Sequence, residues 1–431
     1  MNAVGRLMPT ALDARTRGAA ATLRPDESSQ ANASRVVMYC DWPVGTRSSA
    51  ELMALHLTLQ LHDSPLAQLL PAISPMMTVN GLSENSYALL AQAFTASRRD
   101  WPRIMRASDG VTMPSVGLRL LGDRLEGMPQ ALPLPAQCNV GIVQTCDTRF
   151  DADARARGEK LDVLLAGSTW MCDVLQRAGM TNVVVYPPGI DTRSFAPGPK
   201  SGHLAQRFVI FSGGRLDYHK GQDIVIAAVK VFRERHPETL LLTTWQTPMP
   251  ETIGSITRAG HTPVAPEYYG TTTNISGWAA ANGLAPEAIV DLGQLAPAAL
   301  AVVLREADVA LFPNRAECDS NPMLLECMAS GVPVIASRNT GHRDVATSEL
   351  CYPLVQQSAL RGMPIDGGTE DWGESSVEEV VAQLETVYAQ TSAARAKSAV
   401  AAQWAAAFGW RAHAPRLIEL LMPVIGAPKT R

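Results

Sequence analysis

Apolar positions in this chain gather into short blocks rather than long helical stripes. In the first half the blocks are RVVMYCDW (35–42), NVGIVQTCD (139–147), LDVLLAGS (161–168) and NVVVYPPG (182–189). Each is a largely apolar run of eight or nine residues free of strict alternation, the pattern of a strand covered on both faces in a parallel sheet. Between them the pattern changes to a helical period. SSAELMALHLTLQLHD (48–63) reads as a helix with a serine cap before Glu51, and 151–159 as a polar helix. A further helix starts at Ser168-Thr169-Trp170. The stretch 65–135 is poorly patterned, with helix-like SYALLAQAFTASRRDW and several Pro and Gly breaks.

The second half alternates strictly. RFVIFSG is a strand, DIVIAAVKVFRERH a helix, LLLTTW and AIVDLG strands, PAALAVVLREA a helix, DVALFP a strand, PMLLECMAS a helix and PVIAS a strand. Strand and helix in turn mean βαβ units and a parallel sheet. DTRSFAPGPKSG (191–202), rich in Pro, Gly and Ser, reads as an interdomain linker, and 377–425 is helical throughout. The expected organisation is α/β: a disordered leader over 1–34, a first doubly wound domain over 35–195, a second over 203–400, and a closing helix over 401–425.

Composition narrows the function classes. A chain of 431 residues, 46% hydrophobic, can bury two ordinary cores. A formal net charge of -4 gives no electrostatic case for nucleic acid or an anionic membrane surface. Seven cysteines without CxxC spacing argue against a disulfide framework or a structural zinc site and for a reducing cytoplasm. No apolar run reaches the ~18 residues of a membrane span. The first 34 residues lack the apolar core of a secretory signal.

Chemistry concentrates in two segments. FVIFSGGRLDYHKG (208–221) is a strand opening into a glycine turn that carries Arg215 and Lys220. Gly213-Gly214 lets backbone approach a phosphate, and the two cations, five positions apart, suit one diphosphate. ECDSNPMLLECMASG (317–331) places Glu317 in a loop after a strand and Glu326 at the apolar start of a helix. A carboxylate among such residues needs partners, and ribose cis-hydroxyls supply two donors. The turn Asp319-Ser320-Asn321-Pro322 caps that helix, whose N-terminus favours an anion. The plain alternatives are solvated surface cations and ordinary loop or helix carboxylates. The glycine pattern GxGxxG of dehydrogenases is replaced by WPVGTR after the first strand.

With these motifs the chain resembles the retaining GT-B glycosyltransferases, in their largest family of bacterial glucosyl-, mannosyl- and N-acetylglucosaminyl-transferases. The resemblance covers about 139–425 and is strongest in GGRLDYHKG, DLGQ (291–294) and ADVALFPNRAECDSNPMLLECMASGVPVIAS. It departs from the usual pattern by one residue: eight positions, not seven, separate Glu317 from Glu326. The resemblance implies two Rossmann-like domains facing a central cleft, with the terminal helix crossing back onto the first and Trp404, Phe408 and Trp410 anchoring it. It implies that Arg215 and Lys220 hold a diphosphate, Glu326 a ribose and Glu317 the hydroxyls of the transferred sugar. Gly214 and the backbone of Asn321, Pro322 and Met323 would support phosphate and sugar, and Gln294 would edge the base. Trp245 would lie near the base or in the core, and the 339–342 loop near the phosphates, with His342 at a solvated tip. In the first domain Gly45 would face the donor. Asp147 is either an acceptor-side residue or a helix cap.

The implied reaction moves a hexose from a nucleoside-diphosphate sugar, such as a UDP- or GDP-sugar, to an acceptor hydroxyl. It proceeds with retention, without a metal or other cofactor, toward a saccharide, glycolipid or small-molecule acceptor, with at most peripheral membrane contact. A sugar-nucleotide epimerase and a catalytically silent nucleotide- or saccharide-binding protein are the alternatives.

Overall fold

The computed structural model describes residues 36–71, 82–106, 115–127, 136–247, 250–270, 272–362 and 367–425. The expected leader, 1–34, lies outside the described residues. The chain divides into two compact units. The first takes residues to Thr145, Phe150–Pro187 and Trp410 onward, and the second takes Cys146–Arg149 and Pro188–Gly409.

The first unit is built on six parallel strands: β1 (Val36–Cys40), β2 (Ala67–Pro71), β3 (Ser115–Leu121), β4 (Cys138–Val143), β5 (Val163–Ala166) and β6 (Val183–Val185). Their order is β2-β1-β3-β4-β5-β6. β2 and β3 both fall in the stretch that looked unpatterned. β3 interrupts its apolar run with Arg119, which donates to Asn139 Oδ1 on β4 at 3.1 Å. β2 is an edge strand closed by Pro71, where a missing N–H costs no ladder bond.

Helix Ser49–Leu61 follows β1, and Ser48 caps it by accepting from Glu51 N at 3.2 Å, as expected. Against this helix packs the last one, Trp410–Ile425. Trp410 stacks on His56 at 5.5 Å between centroids, and Leu417, Ile418 and Leu421 are buried in the same core. The His413 ring contacts Pro187 O through Nε2 at 2.6 Å and stacks on Tyr186 at 4.4 Å. The preceding helix, Thr391–Ala406, belongs to the second unit, where Trp404 meets Phe408 at 4.8 Å. Of the three expected anchors, Trp410 alone lies in the first unit.

The second unit carries β7 (Phe208–Gly213), β8 (Thr239–Thr244), a two-residue pair β9 (Tyr268–Tyr269) and β10 (Thr272–Thr273), then β11 (Ile289–Asp291), β12 (Val309–Phe312), β13 (Val334–Ser337) and β14 (Tyr352–Leu354). A last short pair is β15 (Gln357–Ser358) and β16 (Glu374–Ser375). The main sheet is all parallel in the order β11-β8-β7-β12-β13-β14. Counted along the chain this is 3-2-1-4-5-6, so the strand order reverses between β7 and β12. Ligands of doubly wound sheets bind beyond the carboxyl ends of the strands at that reversal.

Residues 191–202, read as a linker, belong to this unit. Lys200 donates to Asp308 Oδ1 at 2.5 Å, and Asp308 Oδ2 in turn accepts from Val209 N at 2.9 Å. Among the described residues no helix is long and apolar enough to cross a membrane.

Candidate active site

Because the sheet is parallel, the segments after β7, β8, β11, β12 and β13 emerge along one edge. Those segments carry Gly214-Arg215, Trp245, Gln294, Glu317 and Asn339–His342 respectively. After β7, Gly214 takes φ +119°, and a short turn, Tyr218–Lys220, ends at Gly221 with φ +69°. A Cβ on Gly221 would stand 2.3 Å from Pro313 O, so only glycine lets this turn press on the end of β12. The contact is then stitched by backbone: His219 O accepts from Arg315 N at 2.7 Å and Ala316 N at 3.2 Å.

These bonds bring two predicted residues together. Lys220 Nζ donates to Glu317 Oε1 at 2.5 Å. Asn314 Nδ2 donates to the same oxygen. Glu317 N donates to Thr340 Oγ1 at 2.8 Å, and Gly341 N donates to Glu317 O at 2.9 Å, so the loop after β13 fixes the Glu317 backbone. Burial disfavours both charges, yet each holds the other ionised. Glu317 stays below the usual carboxylate range because of Lys220, helped by His342 and His219. Lys220 stays above its ordinary value because of Glu317. Asp319, two residues on, is pushed up to about 6 by burial and by the Glu317 charge.

Asn321 begins helix Pro322–Ala329 at φ +58°, a strained setting for a residue other than glycine. It earns its place three times over. Its N–H reaches Asp319 Oδ1 at 2.8 Å, its Oδ1 accepts from Leu324 N at 3.4 Å, and its Nδ2 donates to His342 Nε2 at 3.1 Å. His342 lies at 0% exposure, not at a solvated tip as its place in a loop implied. Burial lowers its pKa to about 4, so the ring is neutral at neutral pH. The Ser337 hydroxyl gives its proton to Asn314 O at 2.6 Å, which leaves its oxygen to accept from His342 Nδ1 at 3.2 Å. A single directed chain of hydrogen bonds thus runs from Asn321 through His342 and Ser337 to Asn314, whose amide holds Glu317.

Beneath this layer sits a group that sequence reasoning missed. Arg315 is fully buried and binds Asp223 bidentately at 2.8 and 2.7 Å, Glu374 Oε2 at 3.1 Å and Tyr218 O at 2.8 Å. Its guanidinium also lies 4.2 Å over the Tyr218 ring. His261 shares Glu374 from the other side at 2.8 Å. Burial opposes the Glu374 charge, but the bonds from His261 and Arg315 outweigh it and bring its pKa down to about 2. The cluster locks the turn that ends in Lys220 to the loop that bears Glu317. An Arg two residues before the loop glutamate, and an Asp opening the next helix, were the available signal.

The remaining predicted residues fall as follows. Arg215 Nη2 rests on Asp217 Oδ2 at 3.0 Å and is partly exposed. Glu326 lies at the fifth position of its helix rather than at its start; burial and the Asp191 carboxylate push it up to about 8. Met323 packs its sulfur where a Cβ on Gly213 would be, 2.1 Å from that point, and receives Thr244 Oγ1 at 3.9 Å. Pro322 opens the helix and has no N–H, so backbone donors there begin at Met323. Gln294 is exposed just beyond β11.

Trp245 is core. It is 0% exposed, donates to Ser212 Oγ at 3.3 Å and meets Trp278 edge-on at 6.2 Å. Asp147 does not cap a helix. Its Oδ1 accepts from Arg149 N at 2.8 Å and Gly368 N at 2.6 Å, within the second unit, while Asp151 is the cap that was sought there. Gly45 lies in the first unit, where its N–H reaches Glu51 O at 3.4 Å.

A doubly wound unit with cations and carboxylates beyond the strand ends at its reversal point defines a class of fold and site. The sequence model described as "Glycosyl transferases group 1" matches residues 207–359, the span from β7 through β15. The chain is 25% identical over 244 residues to a D-inositol 3-phosphate glycosyltransferase of Segniliparus rotundus, covering 54% of this chain and 45% of that protein. It is 29% identical over 249 residues to a GDP-mannose-dependent alpha-(1-6)-phosphatidylinositol monomannoside mannosyltransferase of Mycolicibacterium smegmatis, covering 54% and 55%. The matches span about half the length of these curated relatives. Among solved structures, the sucrose-phosphate synthase of Thermosynechococcus elongatus superposes with a TM-score of 0.63 at 15% identity, over 91% of this chain and all of that one. The fold is GT-B, with two parallel six-stranded Rossmann-like sheets and a last helix packed into the first unit.

Proposed function

We propose that this chain transfers a hexose from a nucleoside-diphosphate sugar to an acceptor hydroxyl, with retention and without a metal. The observation that carries the reading is the Lys220–Glu317 pair, drawn from the two strands that flank the reversal of the second sheet. As the glycosidic bond breaks, negative charge develops on the departing diphosphate. Arg215 can meet it bidentately and Lys220 as a point charge, with the Met323 N–H adding a dipole. Lys220 then shifts from Glu317 toward phosphate, and Glu317, already ionised, accepts from sugar hydroxyls. Glu326 takes the ribose hydroxyls, and Gln294 borders the base. Gly45 is a donor-facing candidate of this reading, and Asp147 its acceptor-side candidate.

A UDP- or GDP-sugar is the donor class. The guanosine form is supported by the Mycolicibacterium relative, whose name specifies GDP-mannose. The test is to measure release of UDP or GDP from a panel of sugar nucleotides with and without saccharide, inositol-type and glycolipid acceptors. Acceptor-dependent release supports transfer. A donor sugar altered with no acceptor present would instead make the protein an epimerase, and binding without turnover a silent receptor. Chelation by EDTA is expected to leave turnover within about twofold, because side chains carry the charge neutralisation. Complete loss restored by magnesium would assign that role to a metal.

A further inference from the structure

We propose that Cys146 and Cys318 form a reversible disulfide that switches the donor site off. The seven cysteines fall into two groups: Cys40, Cys138, Cys172, Cys327 and Cys351 are buried, while Cys146 and Cys318 are partly exposed. These two half-buried thiols are 172 positions apart in the chain, yet they hydrogen-bond to each other. Residues 146–149 belong to the second unit although the chain on both sides of them belongs to the first. They are clamped there: Trp372 Nε1 donates to Cys146 O at 3.0 Å, Thr148 N to Gly368 O at 3.0 Å, and Gly368 N to Asp147 Oδ1 at 2.6 Å. These bonds hold Cys146 in place within the second unit, beside Cys318.

The chemistry follows from the surroundings. The hydrogen bond to Cys146, burial, and the Asp319 and Glu317 carboxylates together hold the Cys318 thiol in its protonated form. Cys146 is taken as the sulfur that meets the oxidant, and it lies within electrostatic reach of Lys220. With a peroxide, the Cys146 sulfur attacks one oxygen, the O–O bond breaks and a sulfenic acid forms with release of water. The Cys318 sulfur displaces a second water, giving the S–S bond. The two thiols lose two electrons and two protons, and one hydrogen peroxide becomes two waters. A dithiol reductant reverses the step.

A disulfide is about 2.0 Å long, shorter than any hydrogen-bonded contact between two sulfurs. Cys318 lies between Glu317 and Asp319, so closing that distance shifts Glu317 against Lys220. The activity arm of the test rests on the transferase reading; the linkage arm does not. Full-length protein treated with a modest excess of hydrogen peroxide should give a peptide joining residues 146 and 318 on non-reducing mass mapping. Acceptor-dependent nucleotide release should fall at least about tenfold and return with dithiothreitol. Cys146→Ser, compared with its own untreated form, should lose this sensitivity. Absence of the linked peptide, pairing with another cysteine, linkage with unchanged turnover, or equal inactivation of Cys146→Ser would each overturn the proposal.

Discussion

Glu326 holds its proton up to about pH 8, against an ordinary value of 4.5, because burial and Asp191 disfavour its charge. The unfolded chain loses that proton near 4.5, so the native state binds more protons between the two values and stability falls as pH rises through them. Glu326→Gln removes that slope. Its melting temperature should gain most over the parent near pH 8 and least near pH 5, and a thermal scan across pH checks this. A ribose that donates two hydrogen bonds needs the ionised carboxyl. Nucleotide binding at pH 7 should therefore release a proton, visible as a binding enthalpy that depends on buffer ionisation heat and that disappears in Glu326→Gln. Lys220→Ala is expected to cost at least about tenfold in turnover with the fold retained; steady-state kinetics beside circular dichroism would check it. At this scale the sequence showed which side chains carry charge but not what holds them. Arg315 meets Asp223 and Glu374 from 92 and 59 positions away, and no local pattern reports such a meeting.

Single elements explain how the charged residues are aimed. The turn Tyr218–Lys220 and the N-terminus of helix Pro322–Ala329 are each fixed by one unusual backbone angle, at Gly221 and Asn321. Gly221→Ala must put a Cβ against Pro313 O and hold an L-residue at positive φ, so a loss of more than about 1 kcal/mol is expected in urea titration. Asn321→Ala should lose about 1 kcal/mol through its cap, and Asn321→Gly less, because glycine relieves the strained angle. Both variants should also weaken donor binding, since the His342 chain loses its first member. Elements buried on both faces, such as β7, β8 and β12, were legible as unbroken apolar runs. β3 was not, because Arg119 sits in its middle, and β2 was hidden by its edge position and closing proline.

Across whole units, the alternation of strands and helices in the second half was enough to foresee a parallel sheet, and the strand order then fixed where chemistry could sit. Stability of that unit is tied to its buried ion cluster. Glu374, drawn down to about 2, contributes stability above its ordinary 4.5 that is lost as pH falls toward 2. Arg315→Met would leave Asp223 and Glu374 buried without their cation, at a cost of about 3–5 kcal/mol. Denaturant titration from pH 7 down to pH 3 should show the parent losing stability in acid and the variant already weakened at neutrality.

The membership of helix Trp410–Ile425 in the first unit has a consequence for biosynthesis. A ribosome delivers the whole second unit before it delivers the helix that covers Ser49–Leu61. Until those closing residues emerge, a nascent chain carries an uncovered greasy surface, the sort of surface that holdase chaperones bind.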